Sequence, residues 1–223
     1  VTGMMQGGFR TPVGYIPAGS TNDYASSLGI PKQMTDAASA IAGGEVFSCD
    51  VGRARDEKKE GYFVYVAAFG AFTEVSYKTS QDMKNILGHL AYLLEGVTRL
   101  FDIKSYHMKV TVGEEVIERD FIVGLITNSR YVAGIKDLVR DVDMDDGLFE
   151  VTLIRMPETF IEWPVIINSL LNSVPYNKVV SFKTARLTVI SDEPLDWTAD
   201  GEYGGTYTRI TLETIKQALT IVL

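Results

Sequence analysis

The spacing of apolar residues changes along the chain and divides it into two parts. In roughly the first 48 residues, short apolar runs alternate with glycine-rich loops and helix-forming stretches, which is the strand–loop–helix order of α/β proteins. From residue 49 to residue 214, many short segments alternate apolar and polar residues with a period of two, as antiparallel strands do. The pattern therefore predicts an α/β piece at 1–48 and a mostly antiparallel β region at 49–214.

Glycine, proline and the apolar spacing together set the expected elements. Predicted helices cover 1–6, the stretch from 20–23 to 29–31, 36–41, 83–101 and 158–171. Predicted strands cover 13–16, 47–52, 62–68, 108–112, 116–127, 148–156, 179–190 and 206–212. In the helix at 83–101, apolar residues recur at helical spacing along one face.

The charge and the cysteine content exclude several classes of function. The formal net charge of -8 argues against nucleic acid as a partner, because a phosphate backbone needs a clustered positive surface. The single cysteine, Cys49, excludes a disulfide framework and a thiolate zinc site, and it fits a reducing cytoplasm. With no signal peptide and no apolar run long enough to span a bilayer, we expect any lipid to be met from the water side.

A glycine loop that opens a predicted helix is the first candidate site. It contains Gly19, Ser20, Thr21, Asn22 and Asp23, which follow a predicted strand. Backbone N–H groups at such a junction point to one spot and bind phosphate. The carboxylate of Asp23 would repel phosphate unless a divalent cation bridged them. The alternative is that these residues only cap the helix, and the local chemistry leaves both interpretations open.

A second candidate lies where Asp200, Gly201 and Glu202 follow one another late in the β region. Asp-Gly between two strands is typical of a solvated hairpin turn. In the functional interpretation, Asp200 is a general base that accepts the proton of an attacking hydroxyl.

A third candidate is an acidic run that precedes a predicted strand. Its members are Asp137, Asp141, Asp143, Asp145, Asp146, Gly147 and Glu150. A calcium loop of the EF-hand type that starts at Asp141 fails, because its sixth and twelfth positions hold Asp146 and Thr152 instead of Gly and Glu. Carboxylates at this density need either a bound cation or full solvation.

Taken in order, these motifs resemble the catalytic family of diacylglycerol kinases, in the soluble bacterial branch that is also similar to sphingosine kinases. The resemblance rests on the motifs at 17–25, 49–52, 145–150 and 200–202. It implies a two-domain kinase with an α/β nucleotide domain, a β-sandwich domain and an active cleft between them. In the resemblance, the γ-phosphate of ATP passes to a lipid hydroxyl, commonly that of diacylglycerol. We expect residues 1–48 to be a remnant of the nucleotide domain, to which residues 215–223 return, and residues 49–214 to be the lipid domain.

The resemblance also assigns roles to individual residues. It makes Asp200 the general base and the loop at 19–23 part of the ATP site. It places three further carboxylates in an acidic network around the catalytic magnesium, those of Asp23, Asp50 and Glu202. It implies a second, structural metal site formed by Asp143, Asp146 and the carbonyl group of Leu148.

One part of the family pattern is absent from the chain. The Gly-Gly-Asp-Gly-Thr nucleotide motif, which the resemblance places before a helix like that at 1–6, is not present. We therefore expect that this chain alone neither binds ATP tightly nor catalyses phosphate transfer. The expected cofactors of the complete enzyme are ATP and Mg²⁺. We expect the enzyme to be cytoplasmic and to work at the inner face of the membrane, where it meets its lipid substrate. The resemblance also favours a homodimer.

Two alternatives remain open at the level of sequence. The first is a kinase of a soluble substrate, similar to the kinases of nicotinamide nucleotides. The second is a non-catalytic β-sandwich module that binds a lipid or a cation.

Overall fold

The computed structural model describes residues 1–19, 21–71, 103–132, 134–136, 139, 141–159, 161–172 and 174–223. The predicted helix at 83–101 lies outside the described residues, as do Ser20 and Asp137.

Short helices and one short strand form the N-terminal part. They are α1 (Thr2–Gly7), β1 (Val13–Gly14), α2 (Asp23–Ser27) and α3 (Met34–Gly43). The helices α1 and α3 end at glycines with a left-handed backbone, which is the usual stop for a helix. This order is the strand–loop–helix arrangement that the sequence predicts.

The rest of the described chain is almost entirely β-structure. Its strands are β2 (Val46–Arg55), β3 (Glu60–Phe63), β4 (Val66–Gly70), β5 (Tyr106–Val112), β6 (Glu115–Thr127), β7 (Tyr131–Val132), β8 (Ile135–Lys136), β9 (Phe149–Arg155), β10 (Val179–Thr184), β11 (Arg186–Ala199) and β12 (Glu202–Val222). One further helix, α4 (Glu162–Asn172), lies between β9 and β10. The prediction of a small α/β part followed by mostly antiparallel β-structure is confirmed.

The longest strand, β12, connects the two parts of the chain. It pairs with β11 and β2 in antiparallel fashion, and its end pairs with β1 in parallel, Val13 opposite Ile221. The C-terminal end of the chain therefore packs against the N-terminal elements. The proposed division at residues 48 and 49 falls within β2 and stays a prediction.

Two long strands, β6 and β11, hold the β region together. Strand β5 pairs with the first half of each, and β4 pairs with the second half of each. Strands β9 and β10 extend the sheet beyond β6. Nearly all pairings are antiparallel, so side chains alternate between a core face and an outer face.

The main core fills the β region with apolar side chains from most of its strands. The largest of them are Trp197, Phe63, Phe69, Phe121 and Phe149. A second cluster joins the N-terminal elements to β2 and to the end of β12, and a third lies under α4 around Trp163 and Ile166.

The structure divides two segments that the sequence predicts as single strands. The segment 62–68 is interrupted at Val64 and Tyr65, whose N–H groups donate to the Asp200 carboxylate instead of to a neighbouring strand. The segment 179–190 is interrupted at Ala185. The predicted helix at 158–171 begins later, at Glu162. None of the helices in the described ranges is long and apolar enough to cross a membrane.

Glycines opposite aromatic rings allow close packing in the sheet. Gly124 lies opposite Phe69 on the neighbouring strand, and a Cβ atom at Gly124 would meet the Phe69 ring at 2.1 Å. Gly52 has the same relation to Phe63. Both rings are fully buried, so neither can move into solvent to make room.

We predict that Gly124→Ala lowers the free energy of unfolding by about 1–3 kcal/mol, since the added methyl group overpacks the core against Phe69. The matched control is Gly61→Ala, because no atom lies within 4 Å of a Cβ at that position. Chemical denaturation should show little loss for the control, or a gain below about 1 kcal/mol. Equal stability of the two variants would contradict the packing argument.

Candidate active site

The turn between β11 and β12 presents Asp200 at the tip of a hairpin. Ala199 pairs with Glu202, so the loop consists of Asp200 and Gly201 alone. Both have positive φ, 52° and 85°, which is the backbone that a two-residue hairpin loop requires. Asp tolerates this conformation better than most residues and Gly adopts it freely. The Asp-Gly pair therefore forms the hairpin turn that its sequence indicates.

The carboxylate of Asp200 binds the backbone where β3 ends and β4 begins. Its Oδ1 accepts hydrogen bonds from the N–H groups of Tyr65 at 2.8 Å, Val66 at 3.1 Å and Val64 at 3.2 Å. Its Oδ2 accepts one from Val64 at 3.0 Å. The N–H group of Asp200 in turn donates to the carbonyl oxygen of Val66 at 2.8 Å.

These contacts set the acidity of Asp200. The residue is exposed at the tip of the turn, whereas its carboxyl group is enclosed by the backbone of residues 64–66. This enclosure raises the pKa of the Asp200 carboxyl above its ordinary value, and the backbone N–H groups oppose part of the increase. A carboxylate with a raised pKa is a stronger proton acceptor than an ordinary aspartate.

Asp23 lies on the other side of Tyr65 and is buried. The Tyr65 hydroxyl donates to Asp23 Oδ2 at 2.7 Å, and the N–H group of Gly134 donates to the same oxygen at 2.9 Å. Tyr65 therefore contacts both acids, Asp23 through its side chain and Asp200 through its backbone.

The loop before α2 is closed by the side chain of Asn22. Its Oδ1 accepts a hydrogen bond from the N–H group of Gly19 at 2.9 Å, and its Nδ2 donates to the Gly19 carbonyl oxygen at 2.8 Å. Asn22 has a left-handed backbone and its side chain does not cap the helix. A Cβ at position 19 would meet Asn22 Oδ1 at 2.9 Å, so this clamp needs glycine.

One cavity of about 440 Å³ brings five of these residues together. Its polar lining includes Gly19, Thr21, Asn22, Asp23 and Asp200. Tyrosines and aliphatic residues complete the wall, from Val1, Met4, Val13, Tyr15, Tyr24, Val64, Tyr65, Leu219 and Ile221. The cavity thus combines two carboxylates with a backbone loop on a largely apolar wall, which is suited to a polar reaction on an amphiphilic molecule.

Two of the acids assigned to the magnesium network are absent from the lining of this cavity. Asp50 is fully buried, and its Oδ1 and Oδ2 accept the N–H groups of Gln217 at 2.7 Å and Gly147 at 2.6 Å. Burial raises the pKa of Asp50, and these two bonds oppose the increase. Glu202 is the exposed first residue of β12. The structure places Asp50 under the acidic loop at 143–148.

The acidic loop carries the residues assigned to a structural metal site. The neighbouring Asp143 carboxyl group and burial raise the pKa of the Asp145 carboxyl. Neighbouring carboxylates repel each other, and a bound cation would relieve this repulsion. Asp146 Oδ1 accepts the N–H group of Leu148 at 2.8 Å. Carboxylate and carbonyl oxygens suit Mg²⁺ or Ca²⁺, although no group of three or more His, Cys, Asp or Glu side chains within the described ranges is arranged to hold a metal ion.

Sequence reasoning missed Tyr65 and Gly134 as parts of the site. Tyr65 stands in a predicted strand, where an aromatic residue usually indicates core packing. Gly134 contributes through its backbone N–H group, to which residue type gives no clue. Only the fold brings these residues to Asp23, from 42 and 111 positions away in the chain.

Comparison with known proteins identifies two matching regions. Residues 1–54 match the family model described as the diacylglycerol kinase catalytic domain. Residues 66–223 match that described as the YegS C-terminal NAD kinase beta sandwich-like domain. Together they span most of the chain.

Among similar curated proteins, the diacylglycerol kinase of Staphylococcus saprophyticus is 30% identical over 208 residues, which cover 92% of this chain and 66% of the relative. That of Bacillus subtilis is 28% identical over 199 residues, 88% of this chain and 64% of the relative. The chain spans just under two thirds of the length of these relatives.

Solved structures show the same fold. The crystal structure of a Bacillus anthracis protein aligns with this chain at a TM-score of 0.78 and 19% identity. The alignment covers 96% of this chain and 69% of the Bacillus anthracis chain. The structure of a diacylglycerol kinase from the same organism aligns at a TM-score of 0.65 and 18% identity, over 93% of this chain and 65% of the kinase chain. At these identities the structural likeness shows the fold alone, while the family models match the chain from end to end with a short gap. The chain belongs to the diacylglycerol kinase family.

Proposed function

We propose that this protein transfers the γ-phosphate of ATP to the hydroxyl group of diacylglycerol or a related lipid. The observation that carries the proposal is the cavity that Asp200 and Asp23 line together with Gly19, Thr21 and Asn22. The names of the similar curated proteins supply the reaction class, since they are diacylglycerol kinases.

Asp200 is the proposed general base. Its Oδ1 is occupied by three N–H groups, whereas Oδ2 accepts one described hydrogen bond. Oδ2 therefore keeps a lone pair for the proton of the lipid hydroxyl. The four backbone contacts hold the carboxylate in one orientation, and a fixed base within hydrogen-bond reach of its proton is what the transfer requires.

Asp23 and the loop at 19–22 form the proposed phosphate end of the site. Both described hydrogen bonds to the Asp23 carboxylate reach Oδ2, which leaves Oδ1 to face a cation. Bound Mg²⁺ would supply positive charge beside the ATP phosphates. Asp23 would hold it, with Glu202 as a further acid near the turn. The backbone N–H groups of Thr21 and Asn22 would contact phosphate, and Gly19, whose backbone groups bond the Asn22 side chain, would fix the shape of the loop.

Asp50 acts on the acidic loop in this proposal. Both of its oxygens are occupied by backbone N–H groups, so the residue fixes Gly147 beside Gln217 on β12. Asp143, Asp146 and the carbonyl oxygen of Leu148 are the proposed ligands of a structural divalent cation in that loop. The lipid substrate places the reaction at the inner face of a membrane, and we infer a homodimer by analogy with the family.

The first prediction concerns the base. The protein, in the form that its gene encodes, is incubated with labelled ATP, Mg²⁺ and a panel of lipids. We expect label in one lipid, and Asp200→Asn should lower the rate by about 100-fold or more, because the proton acceptor is lost. Asp196→Asn is the matched control, since Asp196 lies in the same hairpin and is exposed, and the one described hydrogen bond of its carboxylate is to the hydroxyl of Thr206.

The outcomes of this assay separate the alternatives. Label in no lipid, with ATP still bound, would favour the kinase of a soluble substrate. The absence of ATP binding would favour the non-catalytic module. Full activity of a correctly folded Asp200→Asn variant would show that Asp200 is not the base.

The second prediction concerns Tyr65. We expect Tyr65→Phe to lower kcat/KM by about tenfold or more, since the hydroxyl bond to the Asp23 carboxylate is lost, and bonds to charged groups contribute about 1.5–3 kcal/mol. The backbone contact to Asp200 remains, so the effect should appear in the Mg²⁺ dependence of the rate. Tyr203→Phe, on the exposed start of β12, is the control. If the Mg²⁺ dependence of the rate stayed unchanged in Tyr65→Phe, Tyr65 would not act through the Asp23 carboxylate.

The third prediction concerns Asp50. Asp50→Asn should lower the free energy of unfolding by about 1–3 kcal/mol, because an amide cannot accept from both Gly147 and Gln217 in a buried site. Asp192→Asn, which changes an exposed acid, should cost about 0.5 kcal/mol or less. Denaturant unfolding measures both. A stable Asp50→Asn variant that requires more Mg²⁺ for activity would instead support a direct place for Asp50 in the magnesium network.

A further inference from the structure

Two hydrogen-bonded serines join the helix that carries Asp23 to the short hairpin of β7 and β8. Ser27 is the last residue of α2, and its Oγ lies 2.7 Å from the Oγ of Ser129. Ser129 follows β6 and is fully buried. The two serines are 102 positions apart in the chain. The fold therefore makes a polar contact here between the N-terminal part and the β region.

The protons of the two hydroxyl groups connect this pair to the backbone on both sides. Ser27 Oγ lies 2.9 Å from the Asp23 carbonyl oxygen, and Ser129 Oγ lies 2.9 Å from that of Tyr131. Two hydroxyl oxygens at 2.7 Å need a proton between them, so one serine donates to the other and the second donates to its carbonyl group. The N–H group of Tyr131 donates to Ser27 Oγ at 3.2 Å. The serine pair thus ties α2 to the first residue of β7.

The hairpin depends on such contacts for its position. Strands β7 and β8 have two residues each and pair only with one another among the described strands. A two-stranded hairpin of this size is not stable on its own. Val132 is buried in the second apolar cluster, which holds the hairpin down, but apolar burial has no preferred direction. The directional hydrogen bonds of the serines therefore set where the hairpin lies against α2.

The turn of the hairpin provides one of the two donors to the Asp23 side chain. Gly134 lies in this turn with a positive φ of 80°, and its N–H group donates to Asp23 Oδ2 at 2.9 Å. Ser27 and Asp23 are four residues apart and so one helical turn apart on α2. Because the serines fix Ser27 against the start of the hairpin, they also fix Asp23 against its turn.

The residue before Ser129 supports the other donor. Asn128 is fully buried, and its N–H group donates to the Tyr65 carbonyl oxygen at 3.1 Å. The Tyr65 hydroxyl donates to the same Asp23 oxygen as Gly134, Oδ2, at 2.7 Å. Two consecutive residues after β6 therefore support both described hydrogen bonds to the Asp23 carboxylate.

We propose that Ser27 and Ser129 are positioning residues for Asp23. They hold the hairpin of β7 and β8 against α2, so that the Gly134 N–H group occupies Oδ2 and Oδ1 is left for a divalent cation. The inference rests on the proposed function of Asp23 as a cation ligand. Neither serine lines the cavity that contains Asp23, so both act through that residue and not on the substrate.

The test uses the protein in the form that its gene encodes and Mn²⁺ as the probe. Electron paramagnetic resonance of the free ion measures Mn²⁺ binding without turnover, and Asp23→Asn identifies the bound ion that depends on Asp23. We expect Ser129→Ala to weaken binding of this ion by about fivefold or more, the equivalent of one neutral hydrogen bond. Any other bound Mn²⁺ should be unaffected. Ser27→Ala should behave like Ser129→Ala, whereas Ser27→Thr keeps the hydroxyl group and should bind as the unchanged protein does.

Hydrogen exchange of the Gly134 amide, measured by nuclear magnetic resonance, follows the contact itself. In Ser129→Ala this amide should exchange about tenfold faster or more, because the hairpin separates from α2 more often. Ser191→Ala is the matched control, since Ser191 is also buried and also donates to the carbonyl oxygen two residues later, that of Glu193. The control should change neither the exchange rate nor the Mn²⁺ affinity.

The outcomes separate this proposal from that of the reaction. Unchanged Mn²⁺ affinity in a folded Ser129→Ala variant would overturn the positioning role, as would an equal loss in Ser191→Ala or no bound Mn²⁺ that depends on Asp23. If Ser129→Ala does not fold, the comparison of Ser27→Ala with Ser27→Thr decides, because Ser27 is only half-buried. A protein that shows the expected Mn²⁺ binding but labels no lipid would refute the proposed reaction and leave the role of the serines intact.

Discussion

The hydrogen bonds between the Asp200 carboxylate and three consecutive backbone N–H groups determine the geometry of the candidate active site. At Val64 and Tyr65 the chain leaves one strand before it begins the next, so these N–H groups have no strand partner. Buried N–H groups without an acceptor are costly, and Asp200 supplies the acceptor. The same contacts fix the hairpin tip on β4 and direct the Tyr65 side chain to Asp23. The Asp200 carboxylate thus accepts the N–H groups that lack a strand partner and also lines the cavity.

This arrangement depends on the length of β12. The strand starts at the hairpin that carries Asp200 and ends beside β1, where Leu219 and Ile221 form part of the cavity wall. The turn before this strand and two residues near its end thus line the same cavity, so the strand holds the β region and the N-terminal loop at a fixed separation. The pairing is interrupted between Ile215 and Leu219, where the N–H group of Gln217 turns to Asp50. The irregularity therefore connects β12 to the acidic loop.

The sequence predicts most of the elements and most polar residues that line the candidate site. The features that it does not predict have a common cause. Strand alternation and the Asp-Gly pair are local signals, so the β region and the hairpin turn could be predicted from neighbouring residues. The interruption at 64–65 depends on an acceptor more than 130 positions away. The contact between Tyr65 and Asp23 and the orientation of Asp50 likewise depend on the packing of distant segments. Residue types indicated which groups could carry chemistry, but only the fold distinguishes those that line the cavity from those that support it.

Asp50 and Asp200 illustrate this distinction, since the sequence presents both as acids in glycine-containing motifs. Each accepts backbone N–H groups, and burial raises the pKa of each carboxyl. They differ in location. Asp50 is fully buried, with one N–H group on each oxygen, and does not line the cavity that contains Asp23. Asp200 has its hydrogen bonds concentrated on Oδ1 and lines the cavity that also contains Asp23. A general base needs an oxygen that is held in place and still accessible. The same kind of backbone contact therefore fixes a buried loop at Asp50 and meets the requirement of the proposed base at Asp200.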